Sequence, residues 1–304
     1  FTGSSNVDVA QGIAGCLGLP LGKSDCTQFS DGEISVSLHE SVRGSDCFIV
    51  QSTCAPVNDN LMEMLIMIDA MKRASAARIT VVMPYFGYAR QDRKAKARDP
   101  ISAKLCADII TCAGADRVLT MDLHANQIQG FFNVPVDHLY ASTVFGEYIK
   151  SLKLKDMVIA SPDVGGSKRA NSYAKYFGVP LVLCHKSRAK ANEVESMTVI
   201  GDVKDKNVIL VDDMVDTAGT ITKAADLMIS KGALSVRAIA SHAVMSDPAT
   251  SRVTESKMTE MIFTDSIPYY KNCPKVHIIS IADMFADTIR RVYENESISS
   301  QYII

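Results

Sequence analysis

The sequence predicts an α/β fold in which two doubly wound domains each contain a largely parallel sheet. Short apolar runs rich in β-branched residues alternate with helical patterns along both halves of the chain. This alternation is typical of parallel sheets that are covered by helices. The length of 304 residues suits two domains of roughly 150 residues, each large enough for its own core. We place the junction within 139–145, which gives domains of residues 1–142 and 143–304.

Composition and charge exclude several classes of protein. With 47% apolar residues, 22% charged residues and a formal net charge of −2, the chain is ordinary in composition, and its overall charge does not favour nucleic acid. It contains no apolar run of about 18 residues and no signal peptide, so we expect a cytoplasmic protein without a membrane partner. The first residue is Phe1 rather than Met, and we expect a short piece of chain ahead of it.

The eight cysteines include no C-x-x-C pair, the spacing typical of zinc and redox sites. Most of them lie in apolar segments, such as Cys106 and Cys112 in one helical pattern. We therefore interpret them as small buried hydrophobic residues in a reducing compartment.

The first polar stretches of the chain are a false P-loop and a turn. Residues 18–24 resemble a P-loop, but three residues separate the glycines where the motif needs four, and we exclude them as a nucleotide site. Phe29-Ser-Asp-Gly-Glu33 then leads into an alternating strand pattern over 34–38, and on spacing alone this is a hairpin turn.

Residues 47–51 predict a further strand, before a helix that Asn58 and Asp59 are expected to cap. Its apolar stripe predicts a buried face formed by Leu61, Met64, Leu65, Ile68 and Met71.

A loop rich in cations and aromatic residues follows the strand predicted over 79–83. In doubly wound folds, ligands bind past the carboxyl ends of the strands. The loop has three aromatic residues and six cations within twenty residues, and we therefore treat it as a candidate ligand site. A solvated basic loop is the alternative, and the net charge makes a nucleic-acid contact a weaker one.

Acidic and imidazole side chains follow two more strand patterns. Asp122 and His124 come directly after 118–121, and a spacing of two residues lets both face one site. Asp163 follows the strand pattern 157–160. A single histidine is more often structural than a ligand, so both roles stay open for His124.

The second half is organised around Val208-Ile-Leu-Val-Asp-Asp-Met-Val-Asp-Thr-Ala-Gly-Thr220. Residues 208–211 predict a buried parallel strand, Asp212 and Asp213 follow at its end, and 216–220 opens a helix. The N–H groups and the dipole of a helix start attract phosphate, and threonine hydroxyls add donors. The paired acids suit a phosphorylated sugar, whose hydroxyls or bound Mg²⁺ they can hold. The alternative is an ordinary strand–turn–helix.

A basic stretch of low apolar content, residues 185–192, follows the strand predicted over 181–184. It contains Lys186 and Arg188, and it is either a mobile flap or an exposed charged loop. The last helix pattern is expected to be capped by Ser280, with Asp283 three residues further on.

These motifs, in this order, resemble those of ribose-phosphate pyrophosphokinases, and 208–220 resembles the phosphoribosyl-pyrophosphate loop of type I phosphoribosyltransferases. The resemblance covers essentially the whole chain and implies two phosphoribosyltransferase-like domains. It implies transfer of the pyrophosphoryl group of ATP to the anomeric hydroxyl of ribose 5-phosphate, giving 5-phosphoribosyl 1-pyrophosphate and AMP for nucleotide biosynthesis. It also implies Mg²⁺ as the cofactor and self-association into a homo-oligomer, a hexamer.

The resemblance also assigns residues. His124 and Asp163 would hold the metal, while Lys186 and Arg188 would act in catalysis. The chain departs from the family pattern at Ser187, where Arg is common, and at Asn133, where an acid is common, so Asn133 receives no metal role. The ATP site, to which the aromatic ring and the acids of 29–33 are supplied by a neighbouring subunit, would contain Phe29, Asp31, Gly32, Glu33, Arg90, Gln91 and Arg93. The ribose 5-phosphate site would contain Arg188, Asp212, Asp213, Asp216, Thr217, Ala218, Gly219 and Thr220.

Two other functions stay open. A phosphoribosyltransferase that acts on a nucleobase would share 208–220 but would not need 29–33 or Arg90 and Gln91. A catalytically silent regulatory homologue should have lost motif residues, whereas this chain keeps His124, Asp163, Lys186 and Arg188.

Overall fold

The structure is a computed structural model, and it describes residues 1–187 and 196–299. These residues form two compact units. Unit 1 contains Phe1–Tyr140, Ser266–Pro268 and the described residues 280–299, and unit 2 contains Ala141–Asp265 and Tyr269–Ile279. No helix of the described residues is both long enough and apolar enough to span a membrane.

This division differs from the predicted domains of 1–142 and 143–304. The chain leaves unit 1 after Tyr140, and its C-terminal helix, α8 (Ala282–Glu294), belongs to unit 1 because it packs against α1 (Val7–Leu17). Gly12 permits this close packing, since a Cβ at that position would lie 2.9 Å from the Cβ of Ala282. The amphipathic pattern of α8 predicted a helix, but it could not show which surface the helix covers.

Unit 1 is built on a parallel sheet of strand order β3-β4-β5-β6, with an antiparallel hairpin, β1-β2, beside it. The strands are β1 (Ser24–Gln28), β2 (Ile34–Leu38), β3 (Asp46–Val50), β4 (Arg78–Met83), β5 (Arg117–Met121) and β6 (Val136–Leu139). The helices between them are α2 (Val57–Arg73), α3 (Ser102–Ala113) and a 3₁₀ helix (Asn126–Phe131). The predicted buried face of α2 is confirmed at Met64, Ile68 and Met71, which have no exposed surface, while Leu61 and Leu65 are half-buried against the same core.

Unit 2 is built on a larger sheet, whose strands are parallel except for β9. Its strands are β7 (Met157–Ser161), β8 (Leu181–Ser187), β9 (Ser196–Ile200), β10 (Asn207–Val215), β11 (Ser235–Ala243), β12 (Glu260–Thr264) and β13 (Val276–Ile279). Its helices are α4 (Ser142–Ser151), α5 (Ser167–Phe177), α6 (Gly219–Ser230) and α7 (Ala249–Glu255). The predicted α/β fold with largely parallel sheets is therefore confirmed.

The strand order of unit 2 places a crevice between β7 and β10. The order is β13-β12-β11-β10-β7-β8-β9, so the chain runs outward from β10 in one direction and from β7 in the other. A reversal of this kind opens a crevice at the carboxyl ends of the two central strands, where α/β sheets bind ligands. The loop after β7 carries Asp163, the last part of β10 carries Asp212 and Asp213, and the loop after β10 is the candidate phosphate loop.

Several local predictions need correction. The strand predicted over 208–211 continues to Val215, because β11 pairs with it along its whole length, so Asp212 and Asp213 lie within β10. Helix α2 begins at Val57 after Pro56, so Asn58 and Asp59 lie in its first turn instead of capping it. Cys16 and Cys112 are exposed rather than buried, and Cys112 faces away from the side of α3 that buries Cys106. Helix α8 begins after Ile281, although Ser280 does accept a hydrogen bond from the N–H of Ala282 (3.2 Å).

Candidate functional site

The loop that joins β10 to α6 has the geometry of an anion-binding helix start. Ala218 precedes α6 in the left-handed conformation (φ 59°, ψ 4°), and its carbonyl accepts the N–H of Thr222 (3.1 Å), which starts the helix. The first N–H groups of a helix have no partner within the helix and carry its positive dipole end. Residues 216–220 therefore form a candidate phosphate loop beside the crevice between β7 and β10.

Three carboxylates, those of Asp163, Asp212 and Asp213, lie close together at the carboxyl ends of β7 and β10. Asp212 accepts the N–H of Asp213 through Oδ1 (2.9 Å), and Asp213 is buried. Burial, and then the charges of Asp213 and Asp163, raise the pKa of Asp212 well above the usual value for an aspartate. A cluster of carboxylates in partly buried surroundings is stabilised by bound cations or by hydroxyl donors, which is the chemistry of a metal-bound sugar.

The turn after β7 holds Asp163 in place. The buried hydroxyl of Ser161 donates to the main-chain carbonyl of Asp163 (2.6 Å), and the N–H of Gly166 donates to its Oδ1 (2.9 Å). A Cβ on Gly166 would lie 3.8 Å from the carbonyl oxygen of Val211, so this turn lies next to β10. The structure thus brings Asp163 together with the acids of β10.

Of the two catalytic candidates, Lys186 lies within the described residues and Arg188 does not. Lys186 lies in β8, which was expected to end at residue 184, and its main chain pairs with Met197 of the antiparallel β9. The extension occurs because Met197 and Val199 of β9 pack onto the core of unit 2. Arg188 and most of the predicted flap, 185–192, lie outside the described residues.

The turn between β1 and β2 carries the first group of ATP candidates. Phe29 and Glu33 close the turn through an N–H to carbonyl bond of 2.8 Å, and Asp31 accepts the N–H of Glu33 (3.1 Å). Gly32 has a φ of 95°, which a side chain disfavours. Phe29 is 59% exposed. The turn therefore presents an aromatic face and two carboxylates outward from unit 1.

The loops after β4 and β5 are connected to each other in unit 1. Gln91 accepts a hydrogen bond from the hydroxyl of Ser102, and Asp92 accepts one from the carboxamide of Gln127 (3.0 Å). These contacts join the loop after β4 to α3 and to the 3₁₀ helix that follows β5. The remaining candidates on the two loops have exposed side chains: Arg90, Arg93 and His124.

The turn that carries His124 is fastened by a residue that sequence analysis did not identify. The N–H of Leu123 donates to Nε2 of the buried His138 (2.9 Å), and the N–H of Asp122 donates to the carbonyl of Leu139 (3.0 Å). Asp122 has a φ of 39°, a strained value for a residue with a side chain. Because β6 pairs beside β5, His138 lies under this turn, and only the pairing of the two strands could have revealed it.

Arg252 is a second residue that sequence analysis missed. It lies on α7, and its Nη1 donates to the main-chain carbonyl of Thr217 in the candidate phosphate loop (2.9 Å). The two residues are 35 positions apart, and no motif marks the polar sequence of α7.

The described residues contain no group of three or more His, Cys, Asp or Glu side chains that could hold a metal ion.

Comparisons with known proteins identify the family. Residues 1–114 match the N-terminal domain of ribose phosphate pyrophosphokinase, and residues 187–303 match the phosphoribosyl synthetase-associated domain. Over 303 residues the chain is 63% identical to the ribose-phosphate pyrophosphokinase of Porphyromonas gingivalis, covering 99% of this chain and 96% of that protein. The chain belongs to the ribose-phosphate pyrophosphokinase family.

Other members of the ribose-phosphate pyrophosphokinase family agree over the full chain. The Campylobacter jejuni relative is 56% identical over 303 residues, which cover 100% of this chain and 98% of that protein. The solved phosphoribosylpyrophosphate synthetase of Mycobacterium smegmatis is similar with a TM-score of 0.92 and 46% identity, covering 97% of this chain and 98% of that chain. The resemblance found from the motifs is confirmed, and the chain is a transferase of nucleotide biosynthesis.

Proposed function

We propose that this enzyme transfers the pyrophosphoryl group of ATP to ribose 5-phosphate and forms 5-phosphoribosyl 1-pyrophosphate and AMP. Membership of the ribose-phosphate pyrophosphokinase family supports the reaction. The observation that carries the proposal is the pairing of a phosphate loop, 216–220, with Asp212 and Asp213 at the crevice between β7 and β10. A bare phosphate would be repelled by two carboxylates, whereas a sugar phosphate presents an anion to the loop and hydroxyls to the acids.

We assign the ribose 5-phosphate site to residues of unit 2 and to Arg188. The N–H groups and hydroxyls of the loop hold the 5-phosphate, and the acids hold the ribose hydroxyls or their metal. Positioning of the anomeric hydroxyl in line with the β-phosphorus is the main requirement for transfer through a loose transition state. The residues assigned to this site are Arg188, Asp212, Asp213, Asp216, Thr217, Ala218, Gly219 and Thr220.

Mg²⁺ is the cofactor that suits these donors, because carboxylate and phosphate oxygens are its usual ligands. Asp163 offers such an oxygen and lies near Asp212, whose pKa is raised first by burial and then by the charges of Asp213 and Asp163. His124 is the second ligand that we propose, on the resemblance to the family. When bound, Mg²⁺ neutralises the charge of the transferred phosphate groups. In this assignment Ser161 and Gly166 orient Asp163, and His138 supports the turn of His124.

ATP binding is assigned to residues of unit 1. Phe29 supplies a stacking face for the purine, and Asp31 and Glu33 accept hydrogen bonds from its exocyclic amine. Gly32 shapes their turn, and Arg90, Gln91 and Arg93 bind the nucleotide. We propose that the turn 29–33 serves the site of a neighbouring subunit in a homo-oligomer, which takes the form of a hexamer.

Lys186 and Arg188 are the proposed catalytic cations. They stabilise negative charge that develops when the anomeric hydroxyl attacks the β-phosphorus and AMP leaves. The cytoplasm, where nucleotides are made and thiols stay reduced, is the compartment that we propose for the enzyme.

The test is a product assay with ATP labelled at the β-phosphorus, ribose 5-phosphate and Mg²⁺, without any nucleobase. Chromatography should find AMP and 5-phosphoribosyl 1-pyrophosphate in equal amounts, with the label in the sugar product. Ribose without its 5-phosphate is the matched control and should react far more slowly, since it cannot occupy 216–220. Formation of ADP with a singly phosphorylated product, or a requirement for a nucleobase, would contradict the proposal.

A further inference from the structure

Arg252 lies against the candidate phosphate loop of unit 2. Its Nη1 donates to the main-chain carbonyl of Thr217 at 2.9 Å. The same nitrogen would lie 3.2 Å from a Cβ added to Gly219, so the guanidinium occupies the space that a side chain at that position would need. Arg252 therefore touches the loop on both sides of Ala218.

The helix that carries Arg252 is firmly anchored, although the side chain itself is exposed. Ala249 and Val253 of α7 are fully buried in the core that also contains Ala218 and Ile221. Beyond the end of α7, the N–H of Lys257 donates to Asp226 of α6 (2.7 Å). Because the packed helix already fixes the backbone, only the side chain of Arg252 has to be ordered when it bonds to the loop. The contact is thus built into the packing of α7 on α6.

The geometry of the peptide bond links this contact to anion binding. In a trans peptide, the carbonyl and the N–H point in opposite directions. A hydrogen bond that fixes the carbonyl of Thr217 also fixes the direction of the N–H of Ala218, which belongs to the phosphate loop. If this peptide rotated, Arg252 would face an N–H instead of a carbonyl, and two donors would oppose each other. The positive charge of Arg252 beside the carbonyl also polarises the peptide, which makes the N–H of Ala218 a stronger donor.

We propose that Arg252 is a positioning residue for the 5-phosphate of ribose 5-phosphate: it locks the Thr217–Ala218 peptide so that the N–H of Ala218 points into the anion site. This proposal rests on the proposed function, because it takes 216–220 as the phosphate loop. Gly219 is part of the same device, since a Cβ there would lie 3.2 Å from Nη1 of Arg252 and would press on the guanidinium.

The test compares Arg252→Met with Arg252→Lys and with a matched charge control, Lys257→Met. Lys257 follows the same helix and lies outside the proposed site. Calorimetric titration with ribose 5-phosphate should show about tenfold weaker binding for Arg252→Met, equal to about 1.4 kcal/mol. Arg252→Lys should lose less, and Lys257→Met should change binding by less than twofold. In steady-state assays of Arg252→Met the KM for ribose 5-phosphate should rise, while the KM for ATP stays within twofold.

A double-mutant cycle tests the mechanism. Gly219→Ala should also weaken sugar-phosphate binding, because its methyl group would shift the guanidinium and strain its bond to the carbonyl of Thr217. If both changes act through the same contact, the double variant with Arg252→Met should lose much less than the product of the two single losses.

Three results would overturn the proposal: unchanged binding in Arg252→Met, an equal loss in Lys257→Met, or fully multiplicative losses in the double variant. Calorimetry needs no turnover. If the unmutated enzyme forms no AMP, the proposed function is contradicted, while the calorimetric binding of ribose 5-phosphate still decides the role of Arg252.

Discussion

Replacing Gly166 by Ala should disturb the turn that carries Asp163. The new Cβ would lie 2.9 Å from the hydroxyl oxygen of Ser161, which is fully buried and already donates to the carbonyl of Asp163 (2.6 Å). Overpacking of this kind in a rigid interior costs about 1–3 kcal/mol. Ser161→Ala removes the same hydroxyl, and the loss of a buried hydrogen bond to a carbonyl costs about 1–3 kcal/mol.

The double variant separates the two effects. In the Ser161→Ala background the hydroxyl that meets the new methyl group is absent, so Gly166→Ala should cost little there. We expect the two changes to couple by about 1–2 kcal/mol in the free energy of unfolding, measured by urea titration followed by circular dichroism. Gly15→Ala in α1 is the control, because no described atom lies within 4 Å of a Cβ there. It should be neutral or stabilising by up to about 1 kcal/mol.

The same variants report on the proposed metal site. Changes to residues that orient a metal ligand typically weaken metal binding by about 10–100-fold. The Mg²⁺ concentration that gives half-maximal AMP formation should therefore rise about tenfold in Gly166→Ala and in Ser161→Ala. Strictly additive stabilities together with an unchanged Mg²⁺ requirement would refute this account of the Asp163 turn.

Three further predictions follow from the site and its scaffold. Thr217→Ala should raise the KM for ribose 5-phosphate about tenfold in steady-state kinetics, because one hydroxyl donor is lost. The KM for ATP should stay within twofold, and an equal rise in both KM values would indicate a structural role. Phe29→Ala and Lys186→Ala proteins should each be weakly active. After proven subunit exchange, their mixture should form AMP faster than either parent, because some sites then combine an intact Phe29 with an intact Lys186. No gain in the mixture would show that each site uses one subunit alone. Burial and a hydrogen bond to Glu260 raise the pKa of Tyr148 to about 12. In the folded protein Tyr148 thus keeps a proton that the unfolded chain loses near pH 10. Between about pH 10 and 12 the urea midpoint of the parent protein should therefore fall as pH rises, and in Tyr148→Phe it should fall less steeply.

Local patterns were sufficient to predict the strands with buried apolar runs and the order of the polar loops, whereas β1, β6 and β9 were not predicted. The apolar run 208–211 is buried in β10, and the loop at 216–220 does open a helix. Both features depend on neighbouring residues in sequence: hydrophobic periodicity for the strand, and small residues at the helix start for the loop.

Features that depend on distant pairing could not be predicted. Whether 185–187 forms a loop or a strand depends on β9, which supplies the partner for Lys186. The assignment of α8 to unit 1 depends on the close approach at Gly12. Likewise, His138 and Arg252 act on turns far away in sequence, and their own surroundings contain no motif.

The most direct test of the central claim is a crystal structure of the enzyme with ribose 5-phosphate and Mg²⁺. The account predicts density for the 5-phosphate within hydrogen-bonding distance of the N–H groups of 217–220. It also predicts that the ribose hydroxyls, or a metal bound to them, face Asp212 and Asp213. Density for the sugar phosphate at another place, with 216–220 empty at saturating ligand, would contradict it.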